Sequence, residues 1–557
     1  MELHESILLW STHPRFDEKT REEVRLACLD EQEALSRFGR ELSFGTGGLR
    51  GVLGAGANRM NRYTVAKATQ GLADYLLSRD ARRVAIAYDS RIGSKEFASV
   101  AAGVLGHNGL QAYEYGQLMP TPMLSFAVRE LSCDAGIVIT ASHNPAEYNG
   151  YKVYGADGCQ ITDEAAAKIT EAIERVAYES LGWLEEEKAR AEGLWMDVPS
   201  SVIDAFIEKT LSLRSGSPAH DIKLVYTPLH GTGLMPCRRV FARMEGVQCI
   251  EVEAQCVPDG HFPTCPKPNP ELNEALALGL AAARREGADI LIATDPDCDR
   301  VGVAAKDSAG EYHILTGNEV GLLLLEHILQ SRKAAGTLPG QGIVIKTIVT
   351  SDLAFEIAKA YGVQVLEVLT GFKYIGEAMG RLERRGEEHK FIFGFEESCG
   401  YLAGTHVRDK DGVMAAMLAA EMAQAAKAEG LTLWDKVLGM YDTYGIMVNR
   451  LLNFDMQGAE PMRVMGETMR RLRSAPPALL GEAPITVIKD YLPGLDGLPS
   501  SDVLSYENAD GCKAIIRPSG TEPKVKVYLS VRQGNGVKAG QLMEMMVRQI
   551  PAWLEDL

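Results

Sequence analysis

The stretch Gly342–Ala360, GIVIKTIVTSDLAFEIAKA, passes from β-branched residues through a polar turn into residues of helical spacing. A strand, a loop and a helix are predicted in that order, which is the repeating unit of an α/β protein. The same order recurs in Val84–Ala98 (VAIAYDSRIGSKEFA), Lys223–Pro236 (KLVYTPLHGTGLMP) and Ile290–Arg300 (ILIATDPDCDR). Sheets of this kind bind ligands beyond the carboxyl ends of their strands, so the chemistry is expected in those loops. The recurrence hints at internal duplication, although no short fixed period marks a solenoid.

A chain of 557 residues exceeds one hydrophobic core, and three or four domains are expected. Boundaries near 200, 310–316 and 450–455 divide it into 1–200, 201–315, 316–452 and 453–557. The last segment reads as a helical stretch followed by strands around CKAIIRPSGTEPKVKVYLSV, a smaller α+β unit. The net charge of −17, from 75 acidic and 58 basic side chains, argues against a nucleic-acid or anionic-membrane surface, so a phosphate ligand needs a local basic pocket. The start, MELHESILLW, lacks the basic region of an export signal. The most apolar run, VGLLLLEHIL from Val320, is broken by Glu326 and falls short of the ~18 residues that span a bilayer. The 10 cysteines are scattered without metal spacing and read as reduced, buried thiols. A cytoplasmic protein is expected.

Five stretches carry candidate chemistry. Ser142 lies just past a buried-looking strand in GIVITASHNPAEYNGYKVYGADG, without the G-x-S-x-G elbow of a hydrolase; by itself it reads as a turn or cap serine. Asp295, Asp297 and Asp299 alternate between the apolar runs ILIAT and VGVAA. Three like charges packed so closely call for a cation, and hard oxygens suit Mg²⁺ or Ca²⁺. An EF-hand is excluded because Arg300 holds its sixth position and Lys306 its twelfth. The three carboxylates leave coordination positions that water or a phosphate oxygen fills.

Arg517, Ser519, Gly520, Thr521 and Lys524 offer converging donors for a phosphate, or an ordinary turn. The run Gly394–Gly400 (GFEESCG) follows the strand-like KFIF; its carboxylates suit sugar hydroxyls, against the reading of a capped helix start. The glycine-rich Phe44–Gly51 (FGTGGLRG) matches neither nucleotide-binding fingerprint, so its amides and Arg50 point to another anion or to a glycine hairpin.

Taken together and in order, TASHNP, DPDCDR, GFEES and RPSGTEP resemble the α-D-phosphohexomutase superfamily over nearly the whole chain. FGTGGLRG, VRDKDG and TASHNPAEYNGYKVYGADG look most like the branch of bacterial phosphoglucomutases and animal phosphopentomutase-type enzymes. The resemblance implies three related α/β domains with mixed sheets and a smaller α+β domain around a central cleft. It implies an intramolecular phosphotransferase in which phosphorylated Ser142 donates to a sugar monophosphate and glucose 1,6-bisphosphate serves as intermediate and activator. One Mg²⁺ is implied on Ser142, Asp295, Asp297 and Asp299. Arg50, His143, Lys152 and Lys410 are implied around the reacting group, with Lys152, Lys410 and His143 as alternatives for proton transfer. Substrate binding is implied for Arg300, Thr370, Gly371, Glu396, Ser398, Arg517, Ser519, Gly520 and Thr521.

Glucose phosphates are the expected substrates of a monomer or weak homo-oligomer, with phosphopentomutase, phosphomannomutase and glucose 1,6-bisphosphate synthase as alternatives. The chain departs from the family pattern where Gly400 stands in place of a histidine and Phe395 in place of a glycine. A non-catalytic sensor is disfavoured because Ser142 and all three aspartates are intact.

Overall fold

The computed structural model describes residues 3–216, 219–456, 461–519 and 524–554. Their strands form four sheets. In the first, Ala135–Ile139, Arg83–Tyr88 and Gln111–Glu114 run parallel side by side, and Tyr148–Gly155 returns antiparallel along the outer edge of Ala135–Ile139. The second repeats this with Ile290–Thr294, Ile222–Thr227, Val247–Glu251 and the antiparallel Val301–Lys306. The third repeats it again with Phe391–Glu396, Ile343–Thr347, Gln364–Val368 and the antiparallel Gly400–Ala403. The duplication hinted at by the strand-loop-helix recurrence is therefore a shared four-strand core. The first sheet adds Gly48–Val52 and Trp195–Asp197 at its edges, and the second adds Tyr312–Leu315.

Composition explains the layering. The strands AGIVI and ILIAT are buried at every residue, as sheets covered on both faces require. The helix Gly412–Ala428 is buried around nearly its whole circumference, because Ala, Met, Leu and Val occupy all its faces. It packs on both the second-sheet strand Ile290–Thr294 and the third-sheet strand Gly400–Ala403, tying the two units together. Asp411 caps it, accepting from the amides of Val413 at 2.9 Å and Met414 at 3.0 Å.

The fourth sheet is antiparallel throughout and carries its own core under the helices Pro461–Ser474 and Gly536–Leu554. It differs from the sequence expectation at both ends. Its first element is the strand Ile446–Asp455, which crosses the boundary expected at 452/453, and the strands are followed by the helix Gly536–Leu554. The register of Ile446–Asp455 is fixed by its long pairing with Lys524–Gln533, a partner remote in sequence, and IMVNRLLNFD alone does not alternate cleanly enough to show it.

Candidate active site

Each of the first three sheets places one loop between its central strand and the antiparallel return strand: 140–147, 295–300 and 397–399. Each loop contains one non-glycine residue in the left-handed region, Ser142 at φ 51°, Cys298 at 51° and Cys399 at 61°. That conformation costs roughly 1–2 kcal/mol per residue and persists only where surroundings enforce it. Here the loops enforce one another. The amide of Gly412 donates to Cys298 O at 3.1 Å, that of Val301 to Cys399 O at 3.0 Å, and that of Thr121 to Asp297 O at 2.9 Å. A Cβ on Gly231 would fall 2.4 Å from Pro296 Cα, and one on Gly412 would fall 2.5 Å from Cys298 O, so backbone grips the acidic loop on two sides.

Ser142 is buried at 4% exposure, and its hydroxyl donates to Asp295 Oδ2 at 2.8 Å. His143 Nδ1 lies 3.3 Å from the same hydroxyl. Burial first, then Arg300 and Arg50, hold the His143 imidazole well below its ordinary range. Arg50 stands on the strand Gly48–Val52, two residues along from Gly48, which pairs with Lys152 on the neighbouring strand. Gly48 is required there, since a Cβ would lie 1.9 Å from the Tyr151 carbonyl oxygen.

The three aspartates are buried at 0%, 0% and 3% exposure, with one oxygen of each within 4.8 Å of the others. Lys152 Nζ donates to Asp297 Oδ2 at 2.8 Å and lies 3.6 Å from Asp299, and Lys410 Nζ lies 3.2 Å from Asp299. Arg300 Nε is 3.9 Å from Asp299 while its head group pairs with Glu271 at 3.1 Å. Burial opposes the charge of both lysines, but the facing carboxylates outweigh it and raise both above the ordinary lysine range. Asp297 is held low because Lys152 overcomes its burial, whereas burial and its two sister carboxylates push Asp295 well up. Asp297 Oδ1 and Asp299 Oδ1 are buried without a hydrogen-bond partner. Orphaned hard oxygens beside a carboxylate that cannot comfortably ionise fit a divalent cation.

Glu396 closes its strand rather than lying in a loop, and the GFEES run forms a tight hairpin instead of a helix start. Burial, only partly offset by Lys410, pushes Glu396 up to about 7. Ser398 lines a cavity of about 430 Å³ together with Glu397 and Tyr528. Thr370 Oγ1 is buried without a partner, and Gly371, at φ 125°, begins the helix Phe372–Arg384. Arg517 sits near enough to Tyr374 and Tyr528 to oppose the rise that burial imposes on both phenols, each pushed up to about 12. The Ser519 amide donates to Lys524 O at 2.8 Å. Gly520 and Thr521 lie outside the described residues.

Three alpha/beta/alpha domain models of phosphoglucomutase/phosphomannomutase match in order: domain I over residues 41–180, domain II over 203–310 and domain III over 316–443. The chain is 35% identical over 516 residues to a phosphoglucomutase of Staphylococcus haemolyticus, covering 90% of this chain and 93% of that protein. A phosphoglucomutase of Staphylococcus aureus matches at 35% over 522 residues, 92% of this chain and 93% of that protein. The chain belongs to the phosphoglucomutase/phosphomannomutase family. Its fold is shared with a solved phosphoglucomutase/phosphomannomutase family protein of Burkholderia thailandensis, at a TM-score of 0.68 and 19% identity over 92% of this chain and 98% of that one.

In this phosphoglucomutase/phosphomannomutase family member the structure adds residues that sequence reasoning missed. Arg91 is buried behind the Ser142 loop and donates to three of its carbonyls, Ser142, Asn144 and, at 2.9 Å, Pro145, and at 3.0 Å to that of Tyr148, which opens the return strand. Asp89 lies 3.4 Å from its guanidinium, and Phe262 stacks over it at 5.0 Å. Thr121 Oγ1 donates to Asp297 at 3.0 Å, and the Tyr154 hydroxyl donates to Asp409 at 2.7 Å beside Lys410. The signals were present as an unremarked arginine in DSRIGS, a threonine opening a helix after Pro120, and the aspartate before Lys410.

Arg91→Met removes the side-chain donor from the Ser142 and Asn144 carbonyls and releases the Ser142 loop. Turnover is expected to fall about 100-fold, as small misplacements of a reacting group cost that much. Arg91→Lys, with no planar fork, is expected to restore little. Wild-type turnover in a folded Arg91→Met variant contradicts this role.

Proposed function

We propose that the protein is a phosphoglucomutase that interconverts glucose 1-phosphate and glucose 6-phosphate through phosphorylated Ser142. The observation that carries the proposal is the 2.8 Å contact between the Ser142 hydroxyl and Asp295, inside a buried acidic loop that Lys152, Lys410 and Arg300 surround. A serine meant only to cap a turn needs none of this. The phosphoglucomutase names of relatives that align along nine-tenths of the chain support glucose as the sugar.

In the first half-reaction the serine Oγ–P bond breaks and a bond forms from phosphorus to the free sugar hydroxyl, whose proton is taken by His143, the neutral member of the set Lys152, Lys410 and His143. The resulting glucose 1,6-bisphosphate turns end for end, and its other phosphoryl group returns to Ser142 Oγ as the bond from phosphorus to the sugar oxygen breaks and that oxygen regains the proton. Phosphoryl transfer depends on positioning and charge neutralisation more than on covalent help. One Mg²⁺ held by the Ser142 phosphate, Asp295, Asp297 and Asp299 supplies part of that neutralisation when bound. Arg50, Lys152 and Lys410 donate to the transferring group from the first and third sheets.

Glu396 and Ser398 take sugar hydroxyls, Thr370 and Gly371 with Arg300 border the ring, and Arg517, Ser519, Gly520 and Thr521 hold the phosphate that is not reacting. We assign these to domains over 1–200, 201–315 and 316–452 and to a fourth unit from 453, whose sheet borrows the strand Ile446–Asp455. We place the enzyme in the cytoplasm as a monomer or weak homo-oligomer; among the described residues no helix is long and apolar enough to cross a membrane, and all ten cysteines are free.

Turnover of glucose, mannose and ribose 1-phosphates, with Mg²⁺ and a trace of the matching bisphosphate, tests the assignment. Glucose 1-phosphate is expected to win, and chelation and Ser142→Ala each to abolish activity. A pentose phosphate winning moves the assignment to phosphopentomutase, and full activity in Ser142→Ala overturns the mechanism. A second expectation concerns pH. With Glu396 pushed up to about 7, it is ionised above that pH and protonated below, so kcat/KM should fall as pH drops through 7. Glu396→Gln should lower kcat/KM and flatten that acidic limb; an unchanged limb counts against Glu396 as a sugar ligand.

A further inference from the structure

The third and fourth sheets meet through apolar and polar contacts. The apolar part is a small cluster of Ile348, Val349, Leu369, Tyr491, Val503 and Ile515, and the cavity of about 430 Å³ lies alongside it, lined by Asp352, Lys513 and Ile515. Beside this cluster, polar contacts also join the two sheets. The best built of these is an ion pair between Lys513 Nζ and Asp352 Oδ2 at 3.0 Å, with side chains 15% and 32% exposed. Asp352 is fixed from the third sheet's side, because its other oxygen accepts from Lys346 Nζ at 2.9 Å. Lys346 is itself fully buried and also bonds Glu367 at 2.6 Å and the Thr350 carbonyl at 3.1 Å. Burial resists the Asp352 charge, but Lys346 and Lys513 outweigh it and hold the carboxyl at about 2. A more exposed pair, Arg532 with Glu356 at 2.9 Å, spans the same interface.

Lys513 stands on the strand Cys512–Pro518, which also carries Arg517. Side chains two apart share a face of a strand, so Lys513, Ile515 and Arg517 form one row at intervals of roughly 6.8 Å. The row reads as an ion-paired anchor, an apolar contact with Ile348 and Val349, and then the guanidinium beside Tyr374 and Tyr528. Setting the first residue of the row therefore sets the height of the last over the cleft.

We infer that the Lys513–Asp352 ion pair is a positioning pair for the mutase reaction: it sets Arg517 over the cleft and so decides how long the bisphosphate intermediate is retained while it turns. The inference rests on the mutase reading above. A bisphosphate held at one end by Arg517 leaves when the fourth sheet lifts, and this latch is breakable because it is partly exposed and charged. Once the pair opens, Asp352 keeps Lys346 as partner, so opening strands no buried charge.

The test is the dependence of turnover on added glucose 1,6-bisphosphate, together with bisphosphate released into solution, in wild type, Lys513→Met and Lys513→Arg. Lys513→Met is expected to need about tenfold more bisphosphate for half-maximal rate, the worth of a charged hydrogen bond, with kcat at saturating bisphosphate within about threefold of wild type. Lys513→Arg keeps the charge and should stay close to wild type. Rising salt should increase the wild-type requirement more steeply than that of Lys513→Met, which keeps only the Arg532–Glu356 pair to screen. Arg532→Met, an exposed change, should shift the requirement in the same direction by a smaller factor. A Lys513→Met enzyme with the wild-type bisphosphate requirement and the same salt response overturns the inference. A wild-type enzyme with no bisphosphate dependence on any sugar phosphate would instead sink the mutase reading itself.

Discussion

Three carboxylates buried within one short turn are the constraint around which the other contacts are arranged. Asp295, Asp297 and Asp299 stand in a loop with almost no access to water, where like charges at such separations cannot all persist uncompensated. The compensation comes from separate sheets: Lys152 from the first, Lys410 from the segment after the third sheet's hairpin, and Arg300 from the loop itself. Each of these contacts also determines where a unit sits. Thr121 and Lys152 dock the first unit on Asp297, and Lys410 docks the third on Asp299. The cleft is thus assembled by the same electrostatics that its chemistry uses.

The three equivalent loops show how one supersecondary unit yields different chemistry. All follow the central strand of the same four-strand core, and all hold a non-glycine residue at positive φ. In the first loop the strained residue is Ser142, the proposed nucleophile, in the second it is Cys298 between Asp297 and Asp299, and in the third it is Cys399 after Ser398 of the hairpin. The two cysteines are buried thiols pushed up by their surroundings, inert fillers of the turn, whereas Ser142 directs its hydroxyl at Asp295.

Much of this was legible in the sequence because it is local. The α/β alternation, the placement of Ser142 after a buried strand and the three spaced aspartates each reside in a few consecutive residues. Arg91 was not legible: its worth comes from four carbonyls more than fifty residues away in sequence. The strand Ile446–Asp455 was missed for a similar reason, since its partner follows some seventy residues later and its own pattern is weakly alternating. KFIF alone does not show that the strand reaches Glu396, because the extension comes from pairing with Gly400.

The most direct test of the central claim, that the acidic turn is completed by a divalent cation, is thermal unfolding of the chelator-stripped protein across a Mg²⁺ titration. A ligand that binds the native state alone raises stability by about 2.7 kcal/mol at one hundred times its dissociation constant, so the wild-type melting temperature should climb steadily with Mg²⁺. Asp297→Asn should flatten the climb. A wild-type melting temperature indifferent to Mg²⁺ would contradict the account, because the orphaned oxygens of Asp297 and Asp299 would then have to be satisfied by something other than a metal ion.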